Sequence, residues 1–179
     1  MTTQTSLDQQ IEFLRSRGGE EAAHSWTSLL EHLTGTRNIL VSWGAEPRLC
    51  TAGLFHSVYG TESFDRVTID RSERHEVRSL IGEESEQIVY LFSVMTGESF
   101  EAAIGDAPSH RIHDRIESRW IDVPHPVFVD LCNLSAANWL EQRPRLGEAY
   151  AEIGRARFHA MLPLVLAAAR SDLESAFDF

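Results

Sequence analysis

Two histidines stand out in this chain because each is embedded in an apolar run of helical period. His32 lies in Glu31-His32-Leu33-Thr34-Gly35-Thr36, and His56 in Leu54-Phe55-His56-Ser57-Val58-Tyr59-Gly60-Thr61. The stretch between them is about the length of one helix–turn–helix. A buried imidazole is hydrogen-bonded, metal-bound or catalytic, because an unpaired polar group in a core is costly. Two such histidines, both beside small residues, point to one site. Alone they supply general acid/base chemistry; joined by a carboxylate they supply metal ligands. Gly35 and Gly60 permit tight turns or close helix approach beside them.

The surrounding pattern is helical almost throughout and predicts one all-α domain, a helical bundle over residues 1–179. Leu7, Ile11 and Leu14 mark a first helix, ended by Gly18-Gly19. A second is predicted from Glu20 to Leu33, with Trp26, Leu29, Leu30 and Leu33 as its stripe. Thr34-Gly35-Thr36 perturbs it, and Ile39, Leu40 and Trp43 continue it to Gly44. After the Ala45-Glu46-Pro47 loop, an apolar helix from Leu49 to Val58 carries His56. Val67-Thr68-Ile69 reads as a short extended piece. Helices follow from Ser72 to Gly82 and from Glu83 to Val94. Ser93 to Asp122 is the least regular third, with Gly97, Gly105 and Pro108, and reads as loops with one short element. A long apolar helix is expected from Val127 to Leu140, broken at Arg143-Pro144-Arg145. Gly147 to Arg157 and Met161 to Phe177 are the last two, with Pro163 near the start of the final one, where proline is tolerated.

Composition excludes several classes. A chain of 179 residues with 42% hydrophobic content builds one real core and not two. No apolar run reaches transmembrane length, and the first residues lack the basic and apolar regions of a secretory signal, so a cytoplasmic protein is expected. Cys50 and Cys132, each in an apolar pattern, read as buried free thiols. A formal net charge of -11 repels phosphate backbones and anionic lipid, so neither nucleic acid nor membrane is an expected partner. Arg111, Arg115 and Arg119 are interleaved with Asp114 and Glu117 and read as a solvated face. No Walker motif, Gly-x-Gly-x-x-Gly fingerprint or Gly-x-Ser-x-Gly elbow occurs, so no nucleotide cofactor is expected. Ser57 and His56 are adjacent, and on a helix their side chains diverge by about 100°, which argues against a nucleophile–base pair.

A helix bearing His, an Ala-Gly-Leu-Phe-His helix and a later helix bearing Asp or Asn together resemble the HD-domain superfamily. His32 matches its first histidine, and His56 the histidine of its His-Asp pair, with Thr51-Ala52-Gly53-Leu54-Phe55 as the apolar lead-in. The chain is more similar still to an uncharacterised HD-like family with His-Leu-x-Gly-Thr, Trp-Gly and Leu-Phe-His-Ser-x-Tyr-Gly-Thr segments. Here these are His32 to Thr36, Trp43-Gly44 and Leu54 to Thr61. Leu80 to Glu86 and Ala137 to Gln142 also fit, so the resemblance covers residues 20–145. It implies an HD-like bundle with a central metal site. Ser57, however, stands where the superfamily has its metal-ligating Asp, and serine is a poor ligand for magnesium, manganese or iron. The distal Asp is matched by either Asp130 or Asn138, which share one helix face.

Two chemistries follow. With Asp130 facing inward, His32, His56 and Asp130 form a mononuclear two-histidine, one-carboxylate site for one divalent iron, manganese or zinc ion. Without metal, His32 and His56 act as an acid/base pair tuned by Ser57, Tyr59 or Asn138, and Glu62 or Glu86 orients an imidazole. His24 shares part of the face of His32. His110 and His113 have metal-compatible spacing in a charged, loop-like setting that favours solvent. Arg71, Arg74 and Arg78 form a row that either binds an anion or faces water. The expected function is a small-molecule enzyme, with specialised metabolism as a setting. An HD-type metal-dependent phosphohydrolase and a non-catalytic ligand-binding protein are the alternatives. The tail from Ser171 to Phe179 either docks on a neighbouring subunit of a homo-oligomer or folds back on its own core.

Overall fold

A computed structural model describes residues 5–18, 23–24, 27–105 and 109–178. Among them the helices are α1 (Leu7–Ser16), α2 (Leu29–Ser42), α3 (Pro47–Phe55), α4 (Arg74–Ile81), α5 (Glu83–Val94), α6 (Gly97–Ala103), α7 (His125–Ile153), α8 (Arg155–Met161) and α9 (Ala167–Phe177). Single 3-10 turns lie at Arg71–Glu73 and Leu162–Leu164. Two short antiparallel ladders accompany them: β1 (Ala23–His24) with β2 (Thr27–Ser28), and β3 (His110–Asp114) with β4 (Arg119–Val123). The chain is therefore predominantly helical, as its periodicity predicts. No helix among the described residues is long and apolar enough to cross a membrane.

The element bearing His32 starts later than expected. Residues 23–24 pair with residues 27–28, and α2 begins only at Leu29. Ser28 dictates this start. Its hydroxyl accepts from the Glu31 N–H, while the Glu31 carboxylate accepts from the Ser28 N–H, a reciprocal capping box. Gly19, Glu20 and Trp26, which the predicted boundaries invoked, lie outside the described residues. From there α2 runs unbroken through Thr34-Gly35-Thr36. In α3, Pro47 occupies the first turn, where its missing N–H costs nothing. The helix ends at Phe55, so His56 sits on its C-terminal boundary rather than inside it. The exit turns at Gly60 with φ +72, and a Cβ there would press on the Phe64 and Asp65 carbonyls at 3.3 Å.

The irregular third contains a hairpin that was not expected. In β3, His110, Ile112 and Asp114 face inward while Arg111 points out, a period-2 alternation. Two of the three inward residues are polar, so hydrophobicity alone hides the strand. Pro108 lies outside the described residues. The predicted break at Arg143-Pro144-Arg145 is also corrected, because α7 continues through Pro144 to Ile153. The lost backbone hydrogen bond is offset by anchoring on both sides. Arg143 donates to the Ala176 carbonyl at 2.7 Å, and Arg145 to Glu141 at 2.5 Å. Met161 to Phe177 is divided at Pro163, with Val165 extended before α9.

The core lies where α2 packs between α3 and α7, with α5 closing α3 from the other side. Leu33, Leu40, Leu54, Phe55, Phe128 and Leu131 are fully buried there. The tail folds back on its own core. Phe177 stacks on Trp139 at 4.6 Å and meets Phe158, whereas Phe179 lies outside the described residues. Cys50 and Cys132 are buried free thiols, as expected. Loss of the Ser28 cap in Ser28→Ala is expected to cost about 1 kcal/mol. Thermal unfolding followed by circular dichroism should show Tm lower by about 2–4 °C, with Ser28→Asp, which still caps, close to the parent.

Candidate active site

Three elements aim polar side chains at one buried point. α2 carries His32 on the face that also presents Leu29, Leu33 and Thr36 to the core. α3 delivers His56 at its end, and α7 brings Asn138, Glu141 and Gln142. Both imidazoles are fully buried. Their Nε2 atoms lie 3.1 Å apart, with the rings near perpendicular at 74°. Behind His32, its Nδ1 meets the Glu141 carboxylate, which Arg145 also holds at 2.5 Å. Behind His56, Nδ1 meets the Gly53 carbonyl at 2.8 Å. The Asn138 Oδ1 stands 3.0 Å from the His56 Nε2, and Gln142 Nε2 donates to that oxygen at 3.1 Å. Phe92 closes the edge of His56.

The donor and acceptor account of this cluster decides its protonation. A carbonyl only accepts, so His56 carries a proton on Nδ1. Burial works to raise the Glu141 carboxyl. The hydrogen bonds from His32 and Arg145, with the charges behind them, outweigh it and hold Glu141 below the usual carboxylate range. Glu141 is therefore ionised, and His32 also carries its proton on Nδ1. Both Nε2 atoms then bring lone pairs to the same 3.1 Å contact, with the Asn138 oxygen beside them. A proton on one Nε2 turns this meeting of acceptors into hydrogen bonds. On His56 Nε2 such a proton would reach both His32 and Asn138, and the Glu141 carboxylate would balance its charge.

Gly35 makes this contact possible. A Cβ at Gly35 would lie 2.8 Å from the Glu141 Cγ and 2.9 Å from its Oε1. A glycine inside α2 costs about 1 kcal/mol of helix propensity, and here it lets a side chain of α7 pass over α2 to reach His32.

Of the residues singled out in the sequence, His32, His56 and Asn138 come together. Tyr59 and Asp130 are held elsewhere. The Tyr59 hydroxyl donates to Glu86, which is fully buried and paired with Arg74 and Arg78; burial and that carboxylate push the phenol far up. Asp130 pairs with Arg48 at 2.6 Å. Burial raises its carboxyl despite that arginine. Glu62 accepts from the Gly97 N–H, and Glu86 serves the arginines, so neither is seen to orient an imidazole. His110 donates from Nδ1 to the Ala103 carbonyl and stacks on Phe128, with His125 completing its hydrogen bonds. It is buried, whereas the sequence favoured solvent. The side chain of His24 lies outside those described. Glu141 was missed, although its segment was noted. Asn138, Glu141, Gln142 and Arg145 recur at i, i+3, i+4 and i+7, so these polar residues share one helix face.

Residues 13–96 match a protein family described as a domain of unknown function (DUF6817). That span includes both histidines but stops before α7, which supplies Asn138 and Glu141. No curated protein and no solved structure matches the chain.

The expected two-histidine, one-carboxylate metal set does not fit this arrangement. Asp130 is taken by Arg48, and the carboxylate of Glu141 lies behind His32 rather than on the Nε2 side. Among the described residues no group of three or more His, Cys, Asp or Glu is placed to hold a metal ion. The side-chain oxygen that stands against the His56 Nε2 is the neutral one of Asn138. A divalent ion would leave more uncompensated charge in the core than a proton does.

Beside the pair, a cavity of about 200 Å³ opens against Ser57, Phe92, Ser135, Asn138, Trp139 and Gln142. It is smaller than the roughly 300–1,000 Å³ of drug-sized sites, and so suits a small metabolite.

Two variants test the carboxylate–imidazole contact. The Glu141 carboxyl is depressed in the folded chain, so its contribution to stability is full above the unfolded value of about 4.3 and is lost as pH falls through the folded value. Glu141→Gln should lower stability at neutral pH by on the order of 1–3 kcal/mol. The gap from the parent should close below pH ~4, as chemical denaturation across pH will show. Gly35→Ala should instead leave global stability nearly unchanged, because gained helix propensity offsets the lost contact. Carbon-13 NMR should find its Glu141 carboxyl titrating closer to the ordinary value.

Proposed function

We propose that this protein is a small-molecule enzyme in which the His32–His56 pair acts as general acid and base. The single observation that carries this is the meeting of two Nε2 atoms at 3.1 Å with both Nδ1 positions already committed. A structural histidine pair closes its hydrogen bonds with donor facing acceptor, as His110 and His125 do. This pair stores a transferable proton beside a cavity. The HD-like reading of the scaffold belongs to the same proposal. It is supported by the convergence of histidines from α2 and the end of α3 with an amide from α7.

In this reading the substrate enters the cavity and meets the wall formed by Ser57, Phe92 and Asn138. Asn138 commits its oxygen to His56 and Gln142, so its NH₂ group is the end offered to a substrate oxygen. As the substrate competes for that amide, His56 Nε2 is uncovered and delivers the shared proton. That proton goes to the substrate carbonyl oxygen; the pair, left with two lone pairs, then takes the proton of the adjacent C–H, and the reverse steps restore both. Glu141 acts through His32, fixing its tautomer and compensating the charge, and is a positioning residue. Proton transfer next to a carbonyl suits this set, because the amide donor stabilises the developing oxyanion.

Incubation with small carbonyl and carboxylic compounds in deuterated water, followed by proton NMR, tests the proposal. The parent should catalyse hydrogen–deuterium exchange at an activated C–H. His56→Gln, with an unchanged circular dichroism spectrum, should lose about 10²–10⁴-fold in rate, the usual contribution of general acid–base catalysis. Exchange that survives in folded His56→Gln would remove the histidine pair from the chemistry. Binding without exchange would replace an enzyme by a ligand-binding protein.

A further inference from the structure

The cavity beside the histidine pair is not electrically uniform. Phe64, Phe92, Phe100 and Trp139 give it an aromatic body. Its two charged lining residues are Glu62 and Arg157, and they are in different states. Glu62 is already used, accepting from the Gly97 N–H at 2.6 Å at the start of α6. Arg157 is not. Its Nε is buried without a hydrogen-bond partner, one of the few such atoms among the described residues. Its nearest carboxylate, Glu101, is 3.4 Å from Nη1 and half exposed, which is a weak surface pairing. The guanidinium is held over the Phe158 ring at 4.8 Å, and its side chain is only 26% exposed. A pre-placed, partly desolvated guanidinium on the cavity wall, with only a long contact to a carboxylate, is a ready partner for a ligand carboxylate.

We infer that the cavity takes a small aromatic monocarboxylate, with Arg157 as the anchor for its carboxylate and the aromatic wall for its ring. The inference rests on the acid–base reading only for what happens next, since binding itself needs no turnover. Volume sets the upper size: about 200 Å³ admits a single ring with a short acidic arm. Position sets the orientation, because Ser57 and Asn138 line the same cavity, and Asn138 reaches His56 behind the wall.

Benzoate and its neutral isostere benzamide are the probes. Binding is read by NMR on the Asn138 side-chain amide and the Trp139 indole. Benzoate should shift both signals saturably and bind better than benzamide. Arg157→Gln should weaken benzoate by about ten- to hundredfold and leave benzamide unchanged, with Arg157→Lys in between. Equal binding of the two probes, or benzoate binding untouched in Arg157→Gln, overturns the anion anchor. Because Arg157 is partly exposed, loss of fold in the variant is excluded by its retained benzamide binding. Benzoate that binds through Arg157 while no compound exchanges hydrogen would uphold the anion site and fell the acid–base reading. Exchange confined to neutral carbonyl compounds, with no benzoate shift, would do the reverse.

Discussion

A carboxylate buried behind an imidazole is expensive unless every charge near it is answered, and Glu141 sets that requirement for the centre of this protein. Its oxygen accepts from both His32 and Arg145, so α7 must lie close enough over α2 for a glutamate to reach across. Gly35 supplies the clearance. α7 must also remain helical beyond Pro144, because Arg145 stands on the far side of that proline. A glycine inside one helix and a proline inside another are each unfavourable locally. Both are accepted in the neighbourhood of one contact, which locates the constraint that outranks propensity.

Other buried charges in the fold have a different character. Glu86 meets Arg74, Arg78 and the Tyr59 hydroxyl, joining α4, α5 and the turn after α3. Arg48 and Asp130 tie α3 to α7, and Arg17 ties α1 to Glu73 and Glu76 before and within α4. In each, donors face acceptors and opposite charges cancel, so nothing remains to be transferred. They are struts that fix the helices whose ends and faces carry the histidines. The histidine pair differs, because its Nδ1 positions are both engaged and its two Nε2 atoms meet each other. That contrast, rather than burial alone, separates the site from the scaffold.

Much of this was legible in the sequence, and the failures have physical causes. Helical spacing revealed α3, α5 and most of α7, and small residues around His32 and His56 marked the site. The start of α2 was misplaced because apolar spacing extends upstream of Ser28, while the reciprocal Ser28–Glu31 cap is what stops the helix. The β3–β4 hairpin was hidden because His110 and Asp114 occupy inward positions usually filled by apolar residues. Pro144 signalled a break that two anchored arginines prevent. Asp130 and Asn138 share a helix face, so spacing alone could not choose between them. Arg48 on α3, which neutralises Asp130, is a tertiary fact with no local signature.

In the proposed reading, neutral groups beside the pair favour a proton over a divalent ion. The neutral amide of Asn138 stands 3.0 Å from the His56 Nε2, where a carboxylate would add negative charge. With neutral neighbours, the negative charge seen at the pair is that of Glu141, itself shared with Arg145. A single positive charge is the largest that such a buried cluster balances at low cost. Asn138 then does what an aspartate there would not. Its oxygen accepts the shared proton's hydrogen bond without removing the proton, and its NH₂ group remains a donor. In that reading, an amide rather than a carboxylate at this position lets the pair hold a proton and pass it on.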